Sequence, residues 1–259
     1  MPVFLIPSLS REQVLVSKTL ALLQEYQVPP EDIHVFVIEE QLASYQQVLP
    51  PTIQLHTGPV GLHHMRNHIH ESFPPGTRMV WLDDDITRLC KMTIDQTVPD
   101  LRSSKRFPLS PLTKEEFWAF IEDAFRDLTS HSLHLFGIYP VKNGFFMKDL
   151  PAKTTDLRFI VGCFWGCINP DPPLVLSIEE KEDFERTLIL YERDLGVLRY
   201  NHIAPVTSYY KEKGGMQSRQ QDRKETGKQS CQYLLEKYPQ YCRLYTSKKN
   251  GMFEVRLRG

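Results

Sequence analysis

Three consecutive carboxylates, Asp83-Asp84-Asp85, follow the apolar run Met79 to Leu82. Neighbouring negative charges repel, and carboxylates set directly behind a buried strand cost stability unless a cation neutralises them. In extended or turn geometry residues i and i+2 converge on one ion. Asp83 and Asp85 therefore form a D-x-D pair, while Asp84 points elsewhere, toward an acceptor or a neighbouring donor. Oxygen ligands alone favour Mg²⁺ or Mn²⁺, which keep open positions for substrate phosphates. The bland reading is an exposed acidic turn capping the next segment, and the strand in front of the triplet weighs against it.

A metal-bound diphosphate needs cations and amide donors nearby. Gly58-Pro59-Val60-Gly61 lets backbone approach a ligand and opens a helix carrying Arg66 and Asn67 in its first turns. Arg66 is a candidate phosphate clamp, and Asn67 a candidate brace for the acidic loop. His64 and His68 stand at i, i+4, as zinc ligands on a helix do. The run His-Met-Arg-Asn-His, however, lacks the glutamate of a zinc hydrolase and puts Arg66 between the imidazoles. Farther on, Glu179, Glu180, Glu182 and Asp183 crowd a helix start. Acids there complement the helix dipole, which is the plain account. The sharper one makes Asp183 a general base, its pKa lifted by the ring of Phe184, with Glu182 the alternative. His202 is a possible third metal ligand that would tilt preference toward Mn²⁺. Lys213 and Gly214 sit in a polar loop able to close over a diphosphate.

The elements that must position these groups alternate. Val3–Ile6, Ile33–Ile38 and Met79–Leu82 read as buried strands, and Ile53–Leu55 as an edge strand. Ser10 with Gln13 reads as a capping box opening a helix through Tyr26; further helices are expected at Gln41–Val48 and Leu62–Phe73. Strands separated by helices imply an α/β protein with a mostly parallel sheet. Ligands of such sheets bind at the carboxyl ends of strands, here Pro7-Ser8, Glu39-Glu40 and the triplet. The second half predicts a proline-rich excursion (Thr97–Leu112), a helix near Lys114–Leu128, strands near Leu133–Ile138 and Phe159–Ile168, and a charged helix around Glu180–Arg193. Beyond Val206–Tyr209 come a polar helix to Tyr238 and a hairpin, Arg243–Ser247 with Met252–Leu257, turned by Asn250-Gly251.

The 259 residues carry 31 Lys+Arg against 32 Asp+Glu, enough chain for a sizeable core and no case for disorder. Charge is lopsided: residues 1–210 are net −8 and residues 211–259 net +7, so the end of the chain is the candidate phosphate-contacting face, or else a solvated helix and hairpin. Five cysteines, with Cys163 and Cys167 at a spacing poor for zinc, read as buried thiols. No run approaches the roughly 20 apolar residues of a membrane helix, and Met1–Ile6 is too short for a signal peptide, so a cytoplasmic protein with no membrane partner is expected.

Taken together, these residues resemble a GT-A-type nucleotide-sugar glycosyltransferase, and more narrowly the TET/JBP-associated glycosyltransferases of phages and eukaryotes. The resemblance runs from Phe4-Leu5-Ile6-Pro7-Ser8 with Arg11, through Arg66-Asn67 and Trp81–Ile86, to Glu182-Asp183-Phe184 and Tyr210–Gly215. It implies one GT-A-like domain over 1–259: a nucleotide-sugar half (1–96), an acceptor half (97–210) and a basic C-terminal part (211–259). Pro7, Ser8, Arg11 and Glu39 would cradle the uridine, with Gly61, Arg66, Asn67, Asp84, Lys213 and Gly214 completing the donor site. Asp83 and Asp85, with His202, would hold Mn²⁺ or Mg²⁺. The donor would be UDP-glucose or UDP-N-acetylglucosamine. The acceptor would be a 5-hydroxymethylpyrimidine of double- or single-stranded DNA, and the protein a cytoplasmic, virus-encoded enzyme. A base must leave the duplex to reach such a pocket. Trp165 and Gly162, or Phe145 and Phe146, would receive it while Arg219, Arg223, Lys248 and Lys249 hold phosphates. One base without a covalent partner implies inversion. Rival readings are a protein, glycan or small-molecule acceptor, a catalytically silent nucleic-acid-binding protein, and the zinc hydrolase.

Overall fold

Short strands that are apolar on every residue need cover on both faces, and the chain supplies it with helices at each crossover. The computed structural model describes residues 1–100, 102–207, 223–246 and 253–258, with the backbone alone for Arg223 and Lys224. β1 (Val3–Pro7) leads into a helix that starts as α1 (Glu12–Leu15), widens to a π-helical stretch over Val16–Leu20 and continues as α2 (Ala21–Glu25). β2 (Ile33–Ile38), α3 (Leu42–Gln46), β3 (Gln54–Gly58), α4 (Leu62–Ser72) and β4 (Arg78–Leu82) complete the first half. Next come β5 (Ile86–Met92), β6 (Leu109–Pro111), α5 (Lys114–His131), β7 (Leu135–Ile138), α6 (Gly144–Met147), β8 (Lys153–Thr154) and β9 (Phe164–Ile168). α7 (Glu182–Asp194), β10 (Leu198–Tyr200), β11 (Ile203–Thr207), α8 (Arg223–Lys237), β12 (Cys242–Thr246) and β13 (Phe253–Leu257) follow.

The large sheet has the order β3-β2-β1-β4-β9-β7-β10-β8. β3, β2, β1, β4, β7 and β10 run one way, and β9 and β8 run against them, so the protein is α/β with a mostly parallel central sheet flanked by helices. Chain order grows outward from β1 to β3 and then returns to β4 on the other side of β1. That reversal opens a crevice at the carboxyl ends of β1 and β4, where Ser8 and the acidic triplet stand.

β4 illustrates the two-faced packing. Val80 and Leu82 join the cluster beneath α1, α2 and α5, while Met79 and Trp81 join the one beneath α4 and α7. A third, smaller core seats α8 and the β12–β13 hairpin on α7 through Leu188, Cys231, Leu234 and Val255. All five cysteines are free and buried, as expected. Among the described residues no helix is long and apolar enough to cross a membrane.

Several expectations are corrected. Ser10 does not cap a helix: its φ is +54°, its hydroxyl pairs with Gln41, and α1 begins after Arg11 without a side-chain cap. The capping box lies instead at Thr113 and Glu116, opening α5. The strand expected over Phe159–Ile168 starts only at Phe164, because side chains and the acidic loop take the preceding carbonyls. Residues after the triplet form β5, which pairs with β6 and with β11 in a second, three-stranded sheet. The Asn250-Gly251 turn and the end of the Val206–Tyr209 strand lie outside the described residues.

Gly166 fixes the centre of the sheet. A Cβ there would lie 2.2 Å from the Phe136 ring and 2.9 Å from the Met79 carbonyl oxygen. Gly166→Ala is expected to destabilise the fold by about 1–3 kcal/mol through overpacking; an unchanged urea midpoint would show that the sheet yields there.

Candidate active site

The pleat of β4 sorts the acids. Continuing its alternation, Asp83 follows Trp81 to the α4–α7 side and Asp84 follows Leu82 to the α1 side. Asp84 accepts from Ser8 Oγ at 2.7 Å and pairs with Arg11 Nη1 at 3.1 Å. The same Ser8 hydroxyl lies 2.7 Å from Tyr45 Oη, which in turn accepts the Arg11 amide. Burial pushes the Asp84 pKa up, and Ser8 and Arg11 pull it back. Ser8 and Arg11, expected at the uridine, are thus gathered around Asp84 at the carboxyl end of β1. Pro7 ends β1 beside them, and Glu39 starts an exposed turn at the end of the neighbouring β2.

Asp83 opens toward solvent, with 44% of its side chain accessible, and faces Arg66 Nη2 at 4.0 Å. Crowding on its protein side raises its pKa; Arg66 opposes the shift, and the charges of Asp85, Asp84 and Glu182 add to it. Asp85 is buried. The backbone of this loop is pinned at three points. The Asp83 amide donates to the Cys163 carbonyl at 2.9 Å. Thr19 Oγ1, from the π-helical stretch, donates to the Asp83 carbonyl at 2.8 Å and accepts the Ile86 amide at 3.0 Å. Thr19 was not legible as a site residue; its only signal is a polar side chain on the buried face of an amphipathic run.

Arg66 is the keystone. It is 2% exposed and bridges Glu182 Oε1 at 3.1 Å, with a weaker contact to the Gly162 carbonyl at 3.4 Å. An open phosphate clamp is therefore corrected: the guanidinium is buried and its Nη2 is engaged by Glu182, while among the described residues Nε and Nη1 have no hydrogen-bond partner. Asn67 is corrected too, because its amide pairs reciprocally with the Leu176 backbone at 2.9 and 2.8 Å and braces that loop rather than the triplet. Gly61, at φ +104°, is the N-cap of α4, and a Cβ there would lie 3.9 Å from Glu179.

The start of α7 faces the same corner. A Cβ on Gly162 would lie 3.4 Å from Glu182 Oε1 and 3.5 Å from Asp183 Oδ2. Burial and the Glu182 charge push Asp183 up to about 7 against Arg186, Arg66 and Lys181. Phe184 stacks on Phe159 at 4.3 Å. Glu185 belongs to structure: it accepts the Ser177 and Ile178 amides and the Tyr233 hydroxyl, tying loop, α7 and α8 together.

Three expected groups are not brought here. β11 runs antiparallel to β5 with Thr207 opposite Ile86 and Ile203 opposite Lys91. His202 therefore sits at the far end of that ribbon, about 16 Å along it at the usual strand rise, with Nδ1 at the Ala152 carbonyl. It is no metal ligand. Trp165 is fully buried, stacked on Trp81 at 4.8 Å, and cannot receive an extruded base; Phe145 and Phe146 are exposed. His64 and His68 acquire no third ligand, since among the described residues no three His, Cys, Asp or Glu side chains form a ready metal cage. Lys213, Gly214, Arg219, Lys248 and Lys249 lie outside the described residues, and Arg223 begins α8.

Asp83 and Asp85 nevertheless fit a hard dication. Two carboxylates with phosphates and water are a sufficient set for Mg²⁺ or Mn²⁺, and a carboxylate whose pKa is raised by burial and then by the charges of Asp85, Asp84 and Glu182 gains from one.

No family model matches the chain, and no curated protein matches it. Among solved structures, S. aureus TarS 1–349 is 13% identical, covers 91% of this chain and 66% of its own, and superimposes at a TM-score of 0.48; its complex with UDP gives the same values. The mannosyltransferase PcManGT from Pyrobaculum calidifontis, in complex with GDP-Man and Mn²⁺, is 12% identical over 64% of this chain and 44% of its own, at 0.40. The chain spans less than two thirds of the length of these solved chains.

Beneath the site His70 is fully buried, with Nδ1 at Asn169 Oδ1 (2.8 Å). Burial, then Arg186 and Arg66, lower its pKa to about 4 against the Asn169 bond. The fold thus favours neutral His70; its contribution is full above the unfolded value near 6.5 and is lost as pH falls toward 4. Wild type should lose up to about 3 kcal/mol over that window relative to His70→Gln; parallel stability–pH curves would place the proton elsewhere.

Proposed function

We propose that the protein is a metal-dependent glycosyltransferase of the GT-A type that moves a sugar from a nucleoside diphosphate to a hydroxyl. The observation that carries this reading is the convergence of two opposed elements on one corner: Asp83, with its acidic neighbours, at the sheet's reversal point, and the Glu182-Asp183 helix start, joined through Arg66. A purely structural loop gains little from unneutralised carboxylates held against a further acidic helix start in this way.

Asp83 and Asp85 would hold Mn²⁺ or Mg²⁺, which when bound supplies charge neutralisation for the departing diphosphate. Pro7, Ser8, Arg11 and Glu39 line the carboxyl ends of β1 and β2, where the nucleoside belongs. Asp183 takes the acceptor proton: burial and the adjacent Glu182 charge raise its pKa, which makes it a stronger base than an ordinary carboxylate and suits it to that transfer. Glu182, engaged by Arg66 at 3.1 Å, is held for positioning. The acceptor oxygen then attacks the anomeric carbon, the bond to the diphosphate breaks, and one base acting alone inverts the centre.

For the finer assignment we favour UDP-glucose or UDP-N-acetylglucosamine as donor and 5-hydroxymethylcytosine or 5-hydroxymethyluracil in DNA as acceptor. The support is the resemblance, the net +7 of residues 211–259 and the exposed Phe145-Phe146 pair after β7. The net −8 of residues 1–210 favours the second reading, a glycan, protein or small-molecule acceptor.

Incubation with each UDP-sugar, Mn²⁺ and hydroxymethylated DNA should yield a hexose or N-acetylhexosamine adduct by nucleoside mass analysis. Turnover should fall as pH drops below about 7 because Asp183 must be ionised, and Asp183→Asn should cost at least about 10²-fold while removing that acid limb. Sugar-nucleotide turnover without a DNA adduct selects the second reading, and an acid limb that survives Asp183→Asn rules this base out.

A further inference from the structure

We infer that Arg186, a residue outside the donor and acceptor sets above, is a positioning residue that fixes the backbone between the general base and the acidic loop; the inference rests on the transferase reading. Arg186 lies one turn beyond Glu182 on α7 and is fully buried. Its guanidinium carbon stacks 3.9 Å over the Trp165 ring. Nη2 donates to the Ile160 carbonyl at 2.8 Å and reaches the Val161 carbonyl at 3.5 Å. Among the described residues its Nε and Nη1 are buried without a hydrogen-bond partner.

Such a cation is an expensive choice for packing. A buried charge is often replaced by an apolar side chain of similar volume at no loss of stability, or with a gain. Burial and the nearby Arg66 charge lower its pKa to about 10, which shows the same cost from the side of the proton. Its position indicates what offsets that cost. Ile160 and Val161 lead directly into Gly162 and Cys163. Gly162 leaves no more than a Cβ's room beside Glu182 and Asp183 and its carbonyl faces Arg66, while the Cys163 carbonyl holds the Asp83 amide. These four residues form no strand, so Arg186 replaces the ladder that would otherwise fix them. A second tie is Thr187 Oγ1, at 3.4 Å from the Ile160 amide. Arg186 therefore couples the base-bearing helix to the loop that carries Asp83, and its charge offsets the adjacent Glu182–Asp183 pair.

The test uses the full chain with Arg186→Met, which keeps the volume, and Arg186→Lys, which keeps the charge without the planar fork. Both are assayed for kcat and KM on the sugar nucleotide that wild type turns over, and for hydrogen exchange of residues 159–164. The expected result is a folded variant whose kcat falls by about 10²-fold, the scale of a misplacement near 1 Å, with donor KM changed less than about threefold and faster exchange at 159–164. If Arg186→Met does not fold, Arg186→Lys carries the same expectation. A folded variant with wild-type kcat, activity lost only in step with folded protein, or failure of both variants to fold overturns the inference. Should wild type turn over no sugar nucleotide, the transferase reading fails first, and unchanged exchange at 159–164 would separately refute the anchoring.

Discussion

A single buried guanidinium holds the two halves of the site together. Arg66 stands between Asp83 and Glu182, which come from β4 and α7 and would otherwise repel each other across the crevice. Removing Glu182 from its buried pair with Arg66 leaves an uncompensated charge, costing about 3–5 kcal/mol. The neighbouring tryptophans seat the cation as well, since its guanidinium carbon lies 5.9 Å from the Trp81 ring and 5.6 Å from the Trp165 ring.

Around that unit the sheet's pleat separates tasks among identical side chains. Asp84 is turned under β1 and satisfied by Ser8 and Arg11, which sets the floor of the nucleoside side. Asp83 is turned to the open side and left under-neutralised, which suits it to a dication. Thr19 and Cys163 hold the loop backbone, so the carboxylates keep their aim without bonding one another. The same economy appears on α7, where Glu182 pairs with Arg66, Asp183 is left near neutrality for proton transfer, and Glu185 secures the surrounding loop.

What the sequence made legible follows the range of the interactions involved. The alternation of β1, β2 and β4 with their helices was readable because hydrophobic periodicity is local, and the triplet stood out because adjacent like charges are costly wherever they occur. Ser10 reads as a cap by pattern, but its hydroxyl and amide are taken by Gln41, and the capping box observed at Thr113 and Glu116 was not read from the sequence. Roles that depend on long-range pairing were misassigned. Asn67 and Leu176 are 109 residues apart, Arg66 and Glu182 meet only through the sheet, and His202 drew attention by chemistry while its strand register carries it away from the site. Trp165 reads from the sequence as either a base platform or a core residue, and its place in β9, flanked on both sides and stacked on Trp81, makes it core. Arg186 carried one faint signal, its i+4 spacing from Glu182, which places both on one helical face.

The central claim is that Asp83 and Asp85 share a divalent cation with a nucleoside diphosphate. Calorimetric titration of UDP into the protein, with Mn²⁺ and with EDTA, for wild type and Asp83→Asn, addresses it most directly. The account predicts binding to wild type that requires Mn²⁺ and is lost in Asp83→Asn. UDP binding of equal strength in EDTA, or undiminished in the variant, would contradict it.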